Sequence, residues 1–161
     1  MTREERMERI ESYGRGPAML ADALKEFPRS MWEYKPGPDR WSIHEIIIHL
    51  ADADLSSAIR CRFFLAEPGK VVTPYDQDAW AQKLDYQAQN TSHALELFKW
   101  IRKTTYDLIK AQPDPVFANT IQHPEHGEVT LDWWLQVYDD HVKKHIGQMR
   151  RNFETWSTSQ K

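Results

Sequence analysis

Three histidines have the residue type and spacing that could hold a divalent metal ion. His141 and His145 lie four residues apart in a helix-favouring segment, so their side chains project from one face. Both fall in an apolar seam, where burying an imidazole without a partner is costly. His49 lies in another apolar helical run, flanked at helical spacing by Ile46 and Ala53. These residues predict one metal site between two helices.

A second interpretation of the histidine pair needs no metal. The two imidazoles could be ordinary core groups that form hydrogen bonds with Asp52 or Tyr138, and spacing alone does not separate the two interpretations. His44 is a weaker third ligand than His49. Five residues along a helix correspond to a rotation of about 140°, so these two side chains cannot both face one ion.

Residues near the histidines are candidates for supporting roles. Asp52 and Glu45 lie on the same side of their helix as the first histidine, and either could orient an imidazole. The alternatives are a surface salt bridge for either residue and a purely helix-capping role for Glu45. Three side chains on the seam of the last helix are candidates for substrate binding: Trp134, Tyr138 and Gln148. For these the alternatives are core packing and a polar rim.

The elements that must position these residues are helical. Ser42 followed by Glu45 forms a capping-box pattern that predicts a helix from Ser42 to about Ala66. Gly14 to Pro17 interrupts the first helical segment and predicts a kink or two helical pieces. The remaining predictions are helices near 2–27, 75–84, 90–111 and 130–156, the last capped by Thr130, and a tight turn or small hairpin at 123–129.

These segments predict an all-α four-helix bundle that forms a single domain over residues 1–161, with the last few residues frayed. The net charge of −3, from 21 basic and 24 acidic side chains, disfavours a nucleic-acid partner. Cys61 is the single cysteine, so no intrachain disulfide and no cysteine-based zinc motif exist. No signal peptide and no membrane-length apolar run is present, so we expect a cytoplasmic protein without a membrane partner.

Three stretches, in this order, resemble the DinB/YfiT-like superfamily of metalloenzymes, and within it the YfiT-like branch. They are RWSIHEIIIHLAD at 40–52, HPEHGEVTL at 123–131 and YDDHVKKHI at 138–146. The resemblance spans about residues 9 to 152. It is specific because all three blocks occur together, which is much stronger evidence than the histidine pair alone.

The resemblance implies an up-down-down-up four-helix bundle and a metal site at His49, His141 and His145. It implies zinc or nickel as the cofactor, and a homodimer. The branch includes thiol transferases that join bacillithiol to electrophiles, and proteins described as metal-dependent hydrolases. The partner implied is therefore a small-molecule substrate, in some cases together with a low-molecular-weight thiol.

Three neutral histidines leave a divalent ion with positive charge and an open coordination position, which is typical of catalytic sites. Such an ion can hold a thiol as thiolate or activate water for hydrolysis. Hydrolysis usually needs a carboxylate base near the water, and neither Asp52 nor Glu45 is clearly placed for that role. We therefore favour thiol S-transfer over hydrolysis at this stage. A metal-carrying stress or interaction protein without turnover remains a hypothesis of another class.

Overall fold

The computed structural model describes residues 1–160, which form five α-helices, one β-hairpin and three short 3-10 turns. The helices are α1 (Arg3–Leu24), α2 (Ile43–Ala66), α3 (Gln77–Lys83), α4 (Thr91–Lys110) and α5 (Leu131–Ser159). The hairpin joins β1 (Thr120–His123) to β2 (Gly127–Thr130) in antiparallel register. The elements expected from the sequence are therefore present, with ends that differ by a few residues.

Both predicted helix starts carry the expected caps. Ser42 accepts a hydrogen bond from the Glu45 amide, and the Glu45 carboxylate accepts one from the Ser42 amide, which completes the capping box. Thr130 accepts from the amide of Trp133 at the start of α5. This last helix continues to Ser159, beyond the predicted end near residue 156. The predicted frayed tail also includes residue 161, which lies outside the described residues.

Side-chain contacts give the direction of each long helix. Arg6 pairs with Asp132 near the starts of α1 and α5, and Glu26 pairs with Arg150 near their ends, so these two helices are parallel. Helix α2 runs parallel to α4 and antiparallel to α5, and α4 runs antiparallel to α1. In chain order the four long helices therefore run up, down, down and up, as the resemblance implied.

A buried ion pair joins all four long helices between two apolar clusters. Arg102 of α4 binds both carboxylate oxygens of Asp54 on α2, and both side chains are completely buried. The same guanidinium donates to the carbonyl oxygens of Tyr13 on α1 and Tyr138 on α5. Every helix therefore presents a polar group to this layer, which explains the single aspartate in the otherwise apolar seam of α2.

Helix α1 is continuous, so the prediction of two helical pieces around Pro17 is wrong. A proline inside a helix leaves the carbonyl four residues earlier without its helical donor. Here that carbonyl belongs to Tyr13, and Arg102 Nη1 donates to it at 3.4 Å. The glycines of the same segment leave room for neighbouring side chains to pack against the helix backbone. A Cβ on Gly14, for example, would lie only 2.6 Å from the Tyr106 ring. Tertiary contacts therefore support a helix that local sequence disfavours.

The 3.6-residue period of the sequence predicts a buried face of α4 at Leu95, Phe98, Ile101, Thr105 and Leu108, and this prediction is partly wrong. Phe98 and Thr105 are buried as expected, whereas Leu108 is 37% exposed. Ile109 is buried in place of Leu108, and the charged group that is fully buried together with Phe98 and Thr105 is Arg102. A hydrophobic count could not identify it, because the arginine is buried through its carboxylate partner. No helix within residues 1–160 is long and apolar enough to cross a membrane.

Candidate metal centre

The bundle brings the three predicted histidines together. His49 extends from α2, and His141 and His145 extend from α5, which runs antiparallel to it. The Nε2 atom of His141 lies 3.4 Å from Nε2 of His49 and 3.2 Å from Nε2 of His145. One ligand nitrogen from each ring lies within 4.8 Å of the other two. The spacing in the sequence and the antiparallel packing of the helices together produce this convergence.

Two of the rings, His145 and His49, are contacted at Nδ1, on the side away from the cluster. These contacts orient their Nε2 atoms toward the cluster. Gln148 Oε1 lies 3.0 Å from His145 Nδ1 and accepts a hydrogen bond from its N–H, so His145 Nε2 presents a lone pair to the cluster. The Tyr75 hydroxyl lies 3.3 Å from His49 Nδ1 and orients that ring, with the hydroxyl as either donor or acceptor. Nδ1 of His141 is buried without a hydrogen-bond partner among residues 1–160. Metal-binding histidines in proteins are commonly oriented by such contacts.

Burial keeps the three imidazoles neutral. It lowers the pKa of His49 to about 3, with a further contribution from His145. Burial likewise lowers the pKa of His145 to about 4, and the pKa of His141 lies well below its usual value for the same reason. A neutral imidazole is the form that binds metal, so near pH 7 these ligands need not lose a proton.

The arrangement fits a divalent cation by the chemistry of its donors. His145 Nε2 presents a lone pair, and a neutral His141 carries at most one proton on Nε2, so no combination of neutral tautomers gives a hydrogen bond at both Nε2–Nε2 contacts. Burying unsatisfied acceptors is costly, and a cation removes that cost. Three nitrogen ligands are also the number found in catalytic zinc sites with an open position. His49 is 1% exposed, whereas the two α5 histidines are partly exposed, so the cluster can be reached from solvent.

Aromatic rings surround the three histidines. The sequence predicted only some of these aromatic residues. The Trp41 ring lies 4.6 Å from His49 and stacks on His145 at 6.5 Å. Tyr138, which was predicted to lie near the site, packs edge-on against His141 at 6.0 Å. Trp41 and Tyr75 were missed. Trp41 precedes the α2 cap and Tyr75 lies in a loop, so no helical periodicity marked either residue.

The predicted carboxylates form other contacts. Asp52 accepts a hydrogen bond of 2.7 Å from the Tyr86 hydroxyl, and burial raises its pKa. Glu45 caps α2 and pairs with Lys35 at 2.9 Å. Among residues 1–160, no carboxylate forms a hydrogen bond or ion pair with the three imidazoles. His44 faces away from the cluster, with Nε2 3.0 Å from the Tyr86 carbonyl oxygen.

The other two residues considered for substrate binding have defined contacts. Trp134 is 1% exposed, and its indole donates to the Ser57 carbonyl at 3.2 Å, so it lies under Tyr138 as a packing residue. Gln148 contacts His145 directly, as described above. Cavities lie elsewhere on the bundle, including one of about 690 Å³ along α1 and α4 that is lined in part by Pro17 and Trp100.

Comparison with known proteins places these features in a family. A sequence model of the DinB superfamily matches residues 13–149. A protein of Oceanobacillus iheyensis, named as a candidate metal-dependent hydrolase, is 28% identical over 83% of this chain and 77% of its own length. YfiT of Bacillus subtilis, named in the same way, is 28% identical over 83% of this chain and 75% of its own. A solved structure of Bacillus subtilis YfiT, titled as having an unusual four-helix bundle topology, covers 98% of this chain and 90% of its own, with 24% identity and a TM-score of 0.89.

Proposed function

The chain belongs to the DinB superfamily, and from that premise we propose that it is a divalent-metal-dependent thiol S-transferase. The ligands are His49, His141 and His145, and the ion is zinc or nickel. The substrates are a low-molecular-weight thiol, bacillithiol-like in character, and a small electrophile. The observation that carries the metal assignment is the set of three converging Nε2 atoms, whose two contacts cannot both be hydrogen bonds between neutral rings.

The choice of thiol transfer rests on the absence of a nearby base. Among residues 1–160 no carboxylate forms a hydrogen bond or ion pair with the imidazoles, and Asp52 already accepts a hydrogen bond from the Tyr86 hydroxyl. Hydrolysis by activated water usually employs such a group to take the second proton. Sulfur needs no equivalent help, since a thiol loses its one proton on activation and then attacks directly.

The protein residues position the reactants. A divalent ion bound there would acidify a thiol that reaches it. The thiol loses its S–H proton to solvent, its sulfur forms a bond to carbon of the electrophile, and the leaving group departs with the electron pair of the broken bond. Tyr75 and Gln148 hold two of the ligand rings in orientation. Trp41 and Tyr138 supply apolar surface beside the reacting sulfur.

Metal-dependent hydrolysis is the second candidate, and the names of the relatives support it. If Asp52 were the base for this reaction, its carboxylate would have to leave the Tyr86 hydroxyl and approach the cluster. A metal-binding protein without turnover is the third candidate, but the partial exposure of His141 and His145 favours a site that substrates can reach.

The test compares thiol consumption with ester hydrolysis on one preparation loaded with zinc or nickel. We expect metal-dependent loss of a free thiol in the presence of an aryl halide, no hydrolysis of a nitrophenyl ester without thiol, and loss of activity in His145→Gln. His93→Gln is the matched control, since His93 is exposed on α4. Ester turnover without thiol would instead establish the hydrolase. A metal-loaded protein that is inactive with a panel of thiols, electrophiles and esters would support the non-catalytic alternative.

A further inference from the structure

Arg60 lies beside the metal centre without a carboxylate partner. It extends from α2, is only partly exposed, and forms no ion pair with any acidic group among residues 1–160. Its Nη1 donates to the Tyr138 hydroxyl at 3.4 Å, and its Nη2 donates to the Thr73 carbonyl at 3.1 Å. A guanidinium has five N–H groups, so most of its donor capacity is unused.

A second donor faces the same guanidinium. His123, at the end of β1, is 8% exposed, and its Nδ1 accepts a hydrogen bond from the Glu125 amide at 3.2 Å. The proton of this neutral ring is therefore on Nε2, which lies 3.2 Å from Arg60 Nη1. Two N–H donors thus point toward each other, and neither can accept from the other. The contact lacks an acceptor that would bind both groups.

The Tyr138 hydroxyl completes a group of three donors next to the metal ligands. The oxygen of this hydroxyl contacts Arg60, and its ring packs against His141 at 6.0 Å. We propose that Arg60, His123 and Tyr138 form a subsite for the anionic oxygen group, a carboxylate or a phosphate, of the small molecule that reacts at the metal. Arginine suits this role because its planar fork pairs with two oxygens of one anion.

The same hairpin offers a competing cation site, which the charges disfavour. His123, Glu125 and His126 bring ligand atoms within 4.8 Å of one another, as a metal site would. Both nitrogens of His123 already face donors, and burial, followed by the positive charge of Arg60, lowers its pKa. A guanidinium at 3.2 Å would repel a divalent ion bound at this ring, whereas it attracts an anion.

The subsite defines which molecules the enzyme would accept. One end of the substrate would react at the three histidines. Its anionic group would lie on the other side of the Tyr138 ring, beside Arg60. Uncharged thiols and electrophiles would therefore react more slowly than acidic ones. This assignment to the substrate rests on the proposed function, whereas anion binding itself does not.

Anion binding is tested on the protein as purified, before metal is added, so that its failure is distinct from failure of the metal chemistry. Side-chain NMR resonances of His123, assigned with His123→Gln, are followed while succinate or inorganic phosphate is added at constant ionic strength. We expect saturable shifts with one or both anions, and affinity weaker by about tenfold or more in Arg60→Gln. Arg60→Lys should give intermediate affinity, because the charge remains and the fork is lost.

Arg62→Gln is the matched control, since Arg62 lies on the same helix, is exposed, and bonds to the Ala58 carbonyl and Thr105. It should bind both anions as the wild type does. Stronger binding of succinate would assign a carboxylate to the substrate, and stronger binding of phosphate would assign a phosphate. Absence of saturable shifts in the folded wild type, or equal shifts in Arg60→Gln, would overturn the proposal.

Discussion

At the scale of single residues, the histidines are adapted to remain neutral in a buried cluster. Burial lowers the pKa of His49 to about 3 and that of His145 to about 4, whereas an unfolded histidine titrates near pH 6.5. Between these values the unfolded chain binds more protons than the folded chain. The free energy of unfolding should therefore be fully retained only well above pH 6.5, and it should decrease as the pH falls through 6.5 toward 4.

The predicted loss is measurable in protein that contains no metal. Each of these histidines should lower the free energy of unfolding by about 1 kcal/mol at pH 5.5 relative to pH 7.5. Urea denaturation at the two pH values measures this loss, and His145→Gln should lose about 1 kcal/mol less than the wild type. His93→Gln, with its exposed side chain, should behave as the wild type does. Equal losses in wild type and His145→Gln would contradict the account of a buried neutral cluster.

Residue types and spacing identified the candidate metal ligands but not their surroundings. The pair His141 and His145 and the isolated His49 could be chosen from spacing and apolar neighbours alone. Arg60 and His123 could not be connected, because 63 positions separate them in the chain and only tertiary packing brings them together. Asp52 lies on the expected side of α2, but Tyr86 is its partner. This partner depends on tertiary packing, so the sequence alone did not identify it.

At the scale of elements, α1 depends on two glycines that admit side chains of α4. The Tyr106 ring occupies the space that a Cβ of Gly14 would need, and its hydroxyl is held by Glu11 at 3.0 Å. Local sequence predicted that this segment would kink or break. It forms one helix because α4 fills the gap and supplies a donor to the carbonyl that Pro17 leaves free.

Two glycine-to-alanine substitutions test this dependence, because they should change the free energy of unfolding in opposite directions. Gly14→Ala should lower the free energy of unfolding by about 1–3 kcal/mol, because the added methyl group would lie 2.6 Å from the Tyr106 ring. Gly147→Ala in α5 should raise it by about 0.5–1 kcal/mol, since its Cβ would meet only Arg151 Nη1 at 3.5 Å. Thermal or urea denaturation of the two variants distinguishes them. Stabilisation by Gly14→Ala would show that the close packing is not required.

At the scale of the whole molecule, the topology places helices that are distant in sequence beside one another. Helix α5 packs against both α1 and α2, so His49 and the α5 histidines meet across an antiparallel interface. The helical segments could be located from periodicity and caps. Their up-down-down-up order came only from the resemblance, because hydrophobic periodicity does not say which helices are neighbours. Dimerisation, also implied by the resemblance, stays a prediction.

The metal centre is the feature on which the proposed chemistry depends, and metal content tests it most directly. Wild type, His145→Gln and His93→Gln would be incubated with zinc or nickel, desalted and analysed by elemental analysis, with folding checked by circular dichroism. We predict about one divalent ion per chain in the wild type and in His93→Gln, and a large loss in folded His145→Gln. A folded wild type that retains neither ion, or a folded His145→Gln that retains a full equivalent, would contradict the three-histidine site.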